Sequence, residues 1–240
     1  MYLPKYNQQT DIAALYQLAT ANPLAMWVVA TDDDVLINHI PFLMEPPELA
    51  GSKSKLTENS TSESESSSVS IATVSKGKLK AHIAKANPLF KLFESGQSIR
   101  KSVVVFQGQQ TYITPAWYLS KAEHGKVVPT WNYMVMHASG TPVLQTDKQW
   151  LHNHVTALTN AMESATKQSH PEHRQWQVTD APDDYIDMRI KGIAGVEIAI
   201  ETLTGKWKLG QNRTEADQSS LCENYFAEGL ETMGQALDND

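Results

Sequence analysis

Apolar residues recur at helical spacing at Ile12, Leu15, Tyr16 and Ala19, behind a cap at Thr10 or Asp11. They predict a first helix, and Asn22-Pro23 stops it because the residue before proline disfavours helical backbone. Leu24 to Thr31 then reads as a strand rich in Val, Trp and Met. Asp32-Asp33-Asp34 turns the chain, and Val35 to Phe42 returns as the other half of a hairpin. Strand patterns follow at Val69 to Val74, Leu79 to Ala84 and Ile99 to Gln107. Between the last two, Asn87-Pro88 opens a short helix over Leu89, Leu92 and Phe93, closed by Gly96. Further strands are predicted from Trp131 to Gly140 and from Pro142 to Gln145. Asp147 caps a helix with Leu151, Val155, Leu158 and Met162 on one face. Asp180-Ala181-Pro182-Asp183 starts another, with its acids serving as caps. Ile193 to Leu203 alternates Val196, Ile198 and Ile200, and Thr204-Gly205 is expected to turn it into Lys206-Trp207-Lys208-Leu209. From Thr214 to Leu237 the pattern is helical, with Leu221, Phe226, Leu230 and Met233 apolar.

Many antiparallel hairpins with few crossover helices predict a mainly β protein of the α+β class, a β-barrel decorated by helices. The expected division is a barrel domain over 1–213 and a C-terminal helical extension over 214–240. Within the first, Gly51 to Ser70 is so rich in Ser, Thr, Glu and Lys that it reads as a low-complexity loop interrupting a hairpin.

Composition narrows the function classes. With 240 residues and 41% hydrophobic content, the chain can bury a sizeable core. A net charge of -7 argues against nonspecific nucleic-acid binding, which needs a basic surface; a local basic patch would be required for DNA. The single cysteine, Cys222, excludes an intrachain disulfide and fits a reducing cytoplasm. No signal segment is expected at the N-terminus, and no apolar run nears the roughly 20 residues that span a bilayer.

The candidate chemistry gathers between Phe106 and Tyr133. Tyr112, Trp117, Tyr118, Trp131 and Tyr133 are interleaved with Thr114, Ser120, Lys121, Thr130 and Asn132, and Pro115 and Pro129 interrupt regular pairing. A polar loop is expected between the two halves. Rings for a plane, with Lys and hydroxyls for a phosphate, suit a flat, conjugated, phosphorylated ligand. The alternative is two edge strands with aromatic cross-strand pairs. Lys85, where a strand passes to a helix, suits an anion or is an ordinary surface lysine. Gly210-Gln211-Asn212-Arg213 clusters donors at a strand end. His39 reads first as a structural histidine, and His82 stands near the end of its strand. His152, His154, His170 and His173 make a poor ligand set, so no metal is expected. No nucleotide-binding glycine motif occurs.

Eight short motifs in order carry a resemblance: Met-Tyr-x-Pro at the start, His39-Ile40-Pro41, His82 to Pro88, Phe106-Gln107-Gly108, Tyr112 to Tyr118, Val128 to Tyr133, Asp180-Ala181-Pro182 and Lys206 to Arg213. Together they resemble the PaiB family of FMN-binding negative transcriptional regulators, from Met1 to about Asp217. The resemblance implies an FMN-binding split β-barrel, related to pyridoxamine-phosphate oxidases, that forms a homodimer with flavin at the subunit interface. It implies phosphate contacts from Lys85, Thr114, Lys121 and Arg213, with Tyr112, Trp117 and Trp131 near the ring or ribityl chain. Thr130 belongs to the same motif, and Asn132, Gln211 and Asn212 are placed at the pyrimidine edge. The family's usual residues differ at Ala81, Lys85 and Gly210, where it carries Gly, Arg and Ser. Three roles follow: a flavin-based sensor or repressor, a flavin-dependent oxidoreductase, or a haem-degrading relative using His39 or His82. No catalytic residue is assigned, since a flavin brings its own redox chemistry.

Overall fold

In the computed structural model, strand β1 (Gln8–Gln9) leads into helix α1 (Ile12–Ala21). Asp11 is its cap, accepting a hydrogen bond from the Ala13 amide at 2.9 Å. The structure describes residues 1–47, 76–96, 99 and 101–238; the Gly51–Ser70 loop and the Val69–Val74 strand lie outside them. There follow β2 (Leu24–Ala30), β3 (Val35–Pro41), β4 (Leu43–Glu45), β5 (Lys78–Ala84), α2 (Pro88–Glu94) and β6 (Lys101–Ile113). The second half holds α3 (Ser120–His124), β7 (Thr130–Ser139), β8 (Pro142–Gln145), α4 (Lys148–Ser169) and α5 (Asp183–Lys191). It ends with β9 (Ile193–Ala199), β10 (Thr202–Lys208), α6 (Glu215–Ala227) and α7 (Glu231–Asp238).

Two antiparallel sheets, β1-β10-β7-β6-β2-β3 and β4-β5-β9-β8, are joined at corners. Strand β3 passes into β4 through Phe42, β7 into β8 through Gly140-Thr141, and β9 into β10 through Ile200-Glu201. Following the paired strands through these corners closes a circuit of six ribbons, so the sheets form one barrel. Alternation fills it. Ala25, Trp27 and Val29 of β2, Leu79, Ala81 and Ile83 of β5, and Val104 and Phe106 of β6 are all buried. Trp27 is fully buried with Phe42 set edge-on at 6.0 Å, and its indole N–H is satisfied by the Ser102 hydroxyl at 2.8 Å. No helix among the described residues is long and apolar enough to cross a membrane.

Four sequence expectations change. Ile193 to Leu203 is two strands in different sheets, and the chain turns at Ile200-Glu201 rather than Thr204-Gly205. Gly205 lies within β10 because α1 crosses it there: a Cβ would collide with Leu15. The polar loop expected after Lys121 is largely the end of a helix, α3, closed by Gly125 at φ 63°. Asp180 caps a 3-10 turn, Val178–Asp180, by accepting from the Gln177 amide, and α5 starts after Pro182 without a side-chain cap. The C-terminal helix is broken at Gly229, at φ 71°, into α6 and α7. Tyr225 and Leu221 face inward there, whereas Phe226 is 45% exposed.

Candidate functional site

Strand β6 outruns the barrel. Its register with β7 slips between Gln107 and Gln110, where Gly108 lets the backbone approach Leu18 and Met134. Beyond the bulge Gln110 faces Tyr133, Tyr112 faces Trp131 and Ile113 faces Thr130. On β7's other side, Lys208 faces Tyr133 and Lys206 faces Val135. With a side-chain period of two, Tyr112, Trp131, Tyr133, Lys206 and Lys208 therefore share one face. The Tyr112 and Trp131 rings meet edge-on at 6.1 Å yet stay 48% and 56% exposed. The cross-strand pair and the exposed aromatic surface are the same feature.

The cations beside it are close and lack acids. The Lys206 ammonium donates to the Tyr2 carbonyl at 3.1 Å and sits 5.3 Å from the Tyr133 ring centre. Lys208 donates to the Thr130 hydroxyl and, at 2.7 Å, to the Trp131 carbonyl. The Arg213 guanidinium lies 4.5 Å over the buried Tyr118 ring. Burial pushes the Lys208 ammonium below its ordinary pKa; Tyr133 pulls it back up, and the Lys206 and Arg213 charges push it further down. Among the described residues none of the three makes an ion pair. Asp217 is the acid that feels Arg213, but its carboxylate is held by the Ser120 amide at 3.0 Å and hydroxyl at 2.7 Å. Burial raises that carboxyl; the Ser120 hydrogen bonds and Arg213 outweigh it and leave it lowered.

The other expected residues divide into supports and outliers. Thr114 caps the turn Pro115–Trp117 by accepting from the Ala116 amide. Trp117 packs edge-on to Tyr225 at 6.3 Å. Asn132 is 1% exposed and donates to the Tyr225 hydroxyl. Gln211 spends both ends of its amide on Leu209 and Trp207. Asn132 and Gln211 thus brace the site from behind. Asn212 is exposed, and Lys121 is exposed on α3, beside the Ser120 that Asp217 holds. Lys85 is elsewhere. Its amide bonds Gly192, just past the Ala84–Ile193 pair, whereas Lys208 ends β10. The continuous β9–β10 ribbon separates them, two strands of about 20 Å each at roughly 3.3 Å per residue. Lys85 thus lies beside the start of β9 and Arg213 beyond the end of β10, with both strands of chain between them. Lys206 and Lys208 belong to the site although the sequence reading gave them no role there; their spacing of two puts both on one face of β10, and pairing with β7 sets that face beside Tyr133.

Of the histidines, His39 is exposed on β3, and His82 Nδ1 lies 3.2 Å from His154 Nε2. Burial depresses both, with the neighbouring His82 and Lys80 adding to it at His154, which falls to about 4. His170, Glu172 and His173 form an exposed cluster after α4, their rings stacked at 5.1 Å.

Comparison with known proteins gives the family and the fold. Residues 1–202 match the model of a family described as "Putative FMN-binding domain". An uncharacterized protein of Emericella nidulans is 30% identical over 98% of this chain and 92% of its own length. Protease synthase and sporulation protein PAI 2 of Bacillus subtilis is 24% identical over 93% of this chain and 88% of its own. Among solved structures, the flavocytochrome Anf3 from Azotobacter vinelandii superposes with a TM-score of 0.51 at 12% identity, over 91% of this chain and 78% of that one. The FAD and heme binding protein from Mycobacterium smegmatis gives 0.50 at 12%, over 84% and 73%. The fold they share is the split β-barrel.

Proposed function

Because the chain belongs to the FMN-binding domain family matched over residues 1–202, with FMN as its cofactor, we propose that flavin binds on the Tyr112–Trp131–Lys208 face and serves as a sensor in a negative transcriptional regulator. The observation that carries the placement is the group Lys206, Lys208 and Arg213: the Lys206 and Arg213 charges both act against the Lys208 ammonium, and none of the three makes an ion pair among the described residues. A phosphate would relieve that repulsion. Lys208, Arg213, Lys121 and Thr114 hold the phosphate, and Tyr112, Trp117, Thr130 and Trp131 line the ring and ribityl chain. Asn132, Gln211 and Asn212 order the floor and the pyrimidine edge. Bound FMN supplies one- or two-electron redox chemistry at its ring; the protein positions the ring and excludes water.

A homodimer completes the site. Exposed Leu119 and Val128, at 57% and 66%, extend the aromatic surface that a partner would cover. Lys85 joins Arg213 at one phosphate through such a partner. The regulatory role draws on PAI 2 of Bacillus subtilis, and a cytoplasmic location fits it. The test is a gel shift with upstream DNA, with oxidised and reduced FMN. A sequence-specific, salt-sensitive shift altered by the flavin supports the sensor. Rapid NAD(P)H turnover with a defined acceptor, and no shift, makes the protein an oxidoreductase instead.

A further inference from the structure

A second cleft, of about 490 Å3, opens between α5, α4 and the paired ends of β5 and β9. Val155, Ile186, Met188 and Ile193 give it apolar walls, and His82 and Arg189 give it polar groups. Among the described residues no acidic one lines it. Arg189 makes no ion pair among the described residues, and its neighbour Asp187 is taken by Lys148 at 2.6 Å.

The His82–His154 contact fixes what His82 offers. His154 is 4% exposed, and its Nδ1 has no hydrogen-bond partner. A proton there would be an orphaned buried donor, which is rarer and costlier than an unused acceptor. The proton therefore sits on His154 Nε2 and is donated to His82 Nδ1. His82 then carries its own proton on Nε2, the nitrogen that His154 leaves open. Both rings are neutral near pH 7, because burial holds their pKa values down. The cleft thus offers a guanidinium and an imidazole N–H against hydrocarbon walls, with donors and no carboxylate among its described lining residues.

We propose that this cleft binds a small organic acid, its carboxylate held by Arg189 and His82 and its apolar body packed on Ile186, Met188 and Ile193. The inference does not rest on where the flavin sits. Isothermal titration calorimetry on the full chain saturated with FMN tests it, with sodium octanoate against uncharged 1-octanol. Octanoate should bind saturably, octanol about tenfold or more weaker, and Arg189→Ala should lose about tenfold for octanoate alone. Arg189→Lys should recover part of the loss, since it keeps the charge but not the fork. FMN affinity should be unchanged in both variants. The proposal is overturned if octanoate gives no saturable heat, if octanol binds as well, or if Arg189→Ala binds octanoate normally. Competition between octanoate and FMN would also overturn it, by making the cleft part of the flavin site.

Discussion

The Asn132 side-chain amide donates to the Tyr225 hydroxyl at 2.6 Å, and that hydroxyl donates to the Leu209 carbonyl at 2.8 Å. One buried phenol thus ties α6 to the site strand β7 and to the residue that follows β10. Burial holds the Tyr225 hydroxyl well above its usual pKa, so it stays protonated and keeps both bonds. Removing it orphans two buried groups. Tyr225→Phe is expected to cost about 2 kcal/mol in urea unfolding and to weaken FMN binding, although Tyr225 lies behind the site. An unfolding midpoint equal to wild type would show the bonds to be dispensable.

Gly210 adopts φ 105°, and a Cβ there would meet Leu221 at 2.6 Å. The family resemblance places a serine at this position, where this chain's backbone requires glycine. Gly210→Ser and Gly210→Ala should therefore destabilise equally, by roughly 1–3 kcal/mol, and neither should tighten FMN binding. If serine were better than alanine, the missing hydroxyl would matter more than the backbone.

These two residues show what the sequence could disclose. Alternation and capping marked most strands and helices, because Asp11, Asn87 and Asp147 act locally and each caps the helix expected of it. Gly205 was misread as a turn, since its reason is α1 crossing from a distant part of the chain. The aromatic stretch was legible as a site from its composition. That Asn132 and Gln211 support the site from within depended on Tyr225, Leu209 and Trp207, partners that no local pattern names. Lys206 and Lys208 joined the site only when pairing with β7 set them beside Tyr133.

A flavin site shared across a homodimer, as proposed, predicts complementation between subunits by Lys85 and Arg213. Lys85→Ala and Arg213→Ala chains should each bind FMN about tenfold or more weakly. After the two are unfolded and refolded together, mixed dimers should regain one intact site, about a quarter of the wild-type number of sites. A mixture that recovers none, from two variants each defective alone, would place both residues in a site built by one chain.

The histidine pair makes stability pH-dependent. His154 titrates near 4 in the folded protein and near its ordinary 6.5 when unfolded. Between those values the unfolded chain holds a proton that the folded one does not. The stability is complete above pH 6.5 and is lost as pH falls toward 4. Urea unfolding should report a loss of about 2 kcal/mol from this residue between pH 7.5 and pH 5. His154→Leu should flatten that slope; a variant as pH-sensitive as wild type would assign the loss to other groups.

The placement of the flavin is tested most directly by titrating the purified protein with FMN, following quenching of flavin fluorescence, in wild type, Lys208→Ala and Arg213→Ala. Saturation at one FMN per subunit in wild type, with each variant weakened about tenfold or more, is the predicted result. Wild-type affinity retained in both variants would contradict it, because the phosphate would then lie away from the Lys206–Lys208–Arg213 group.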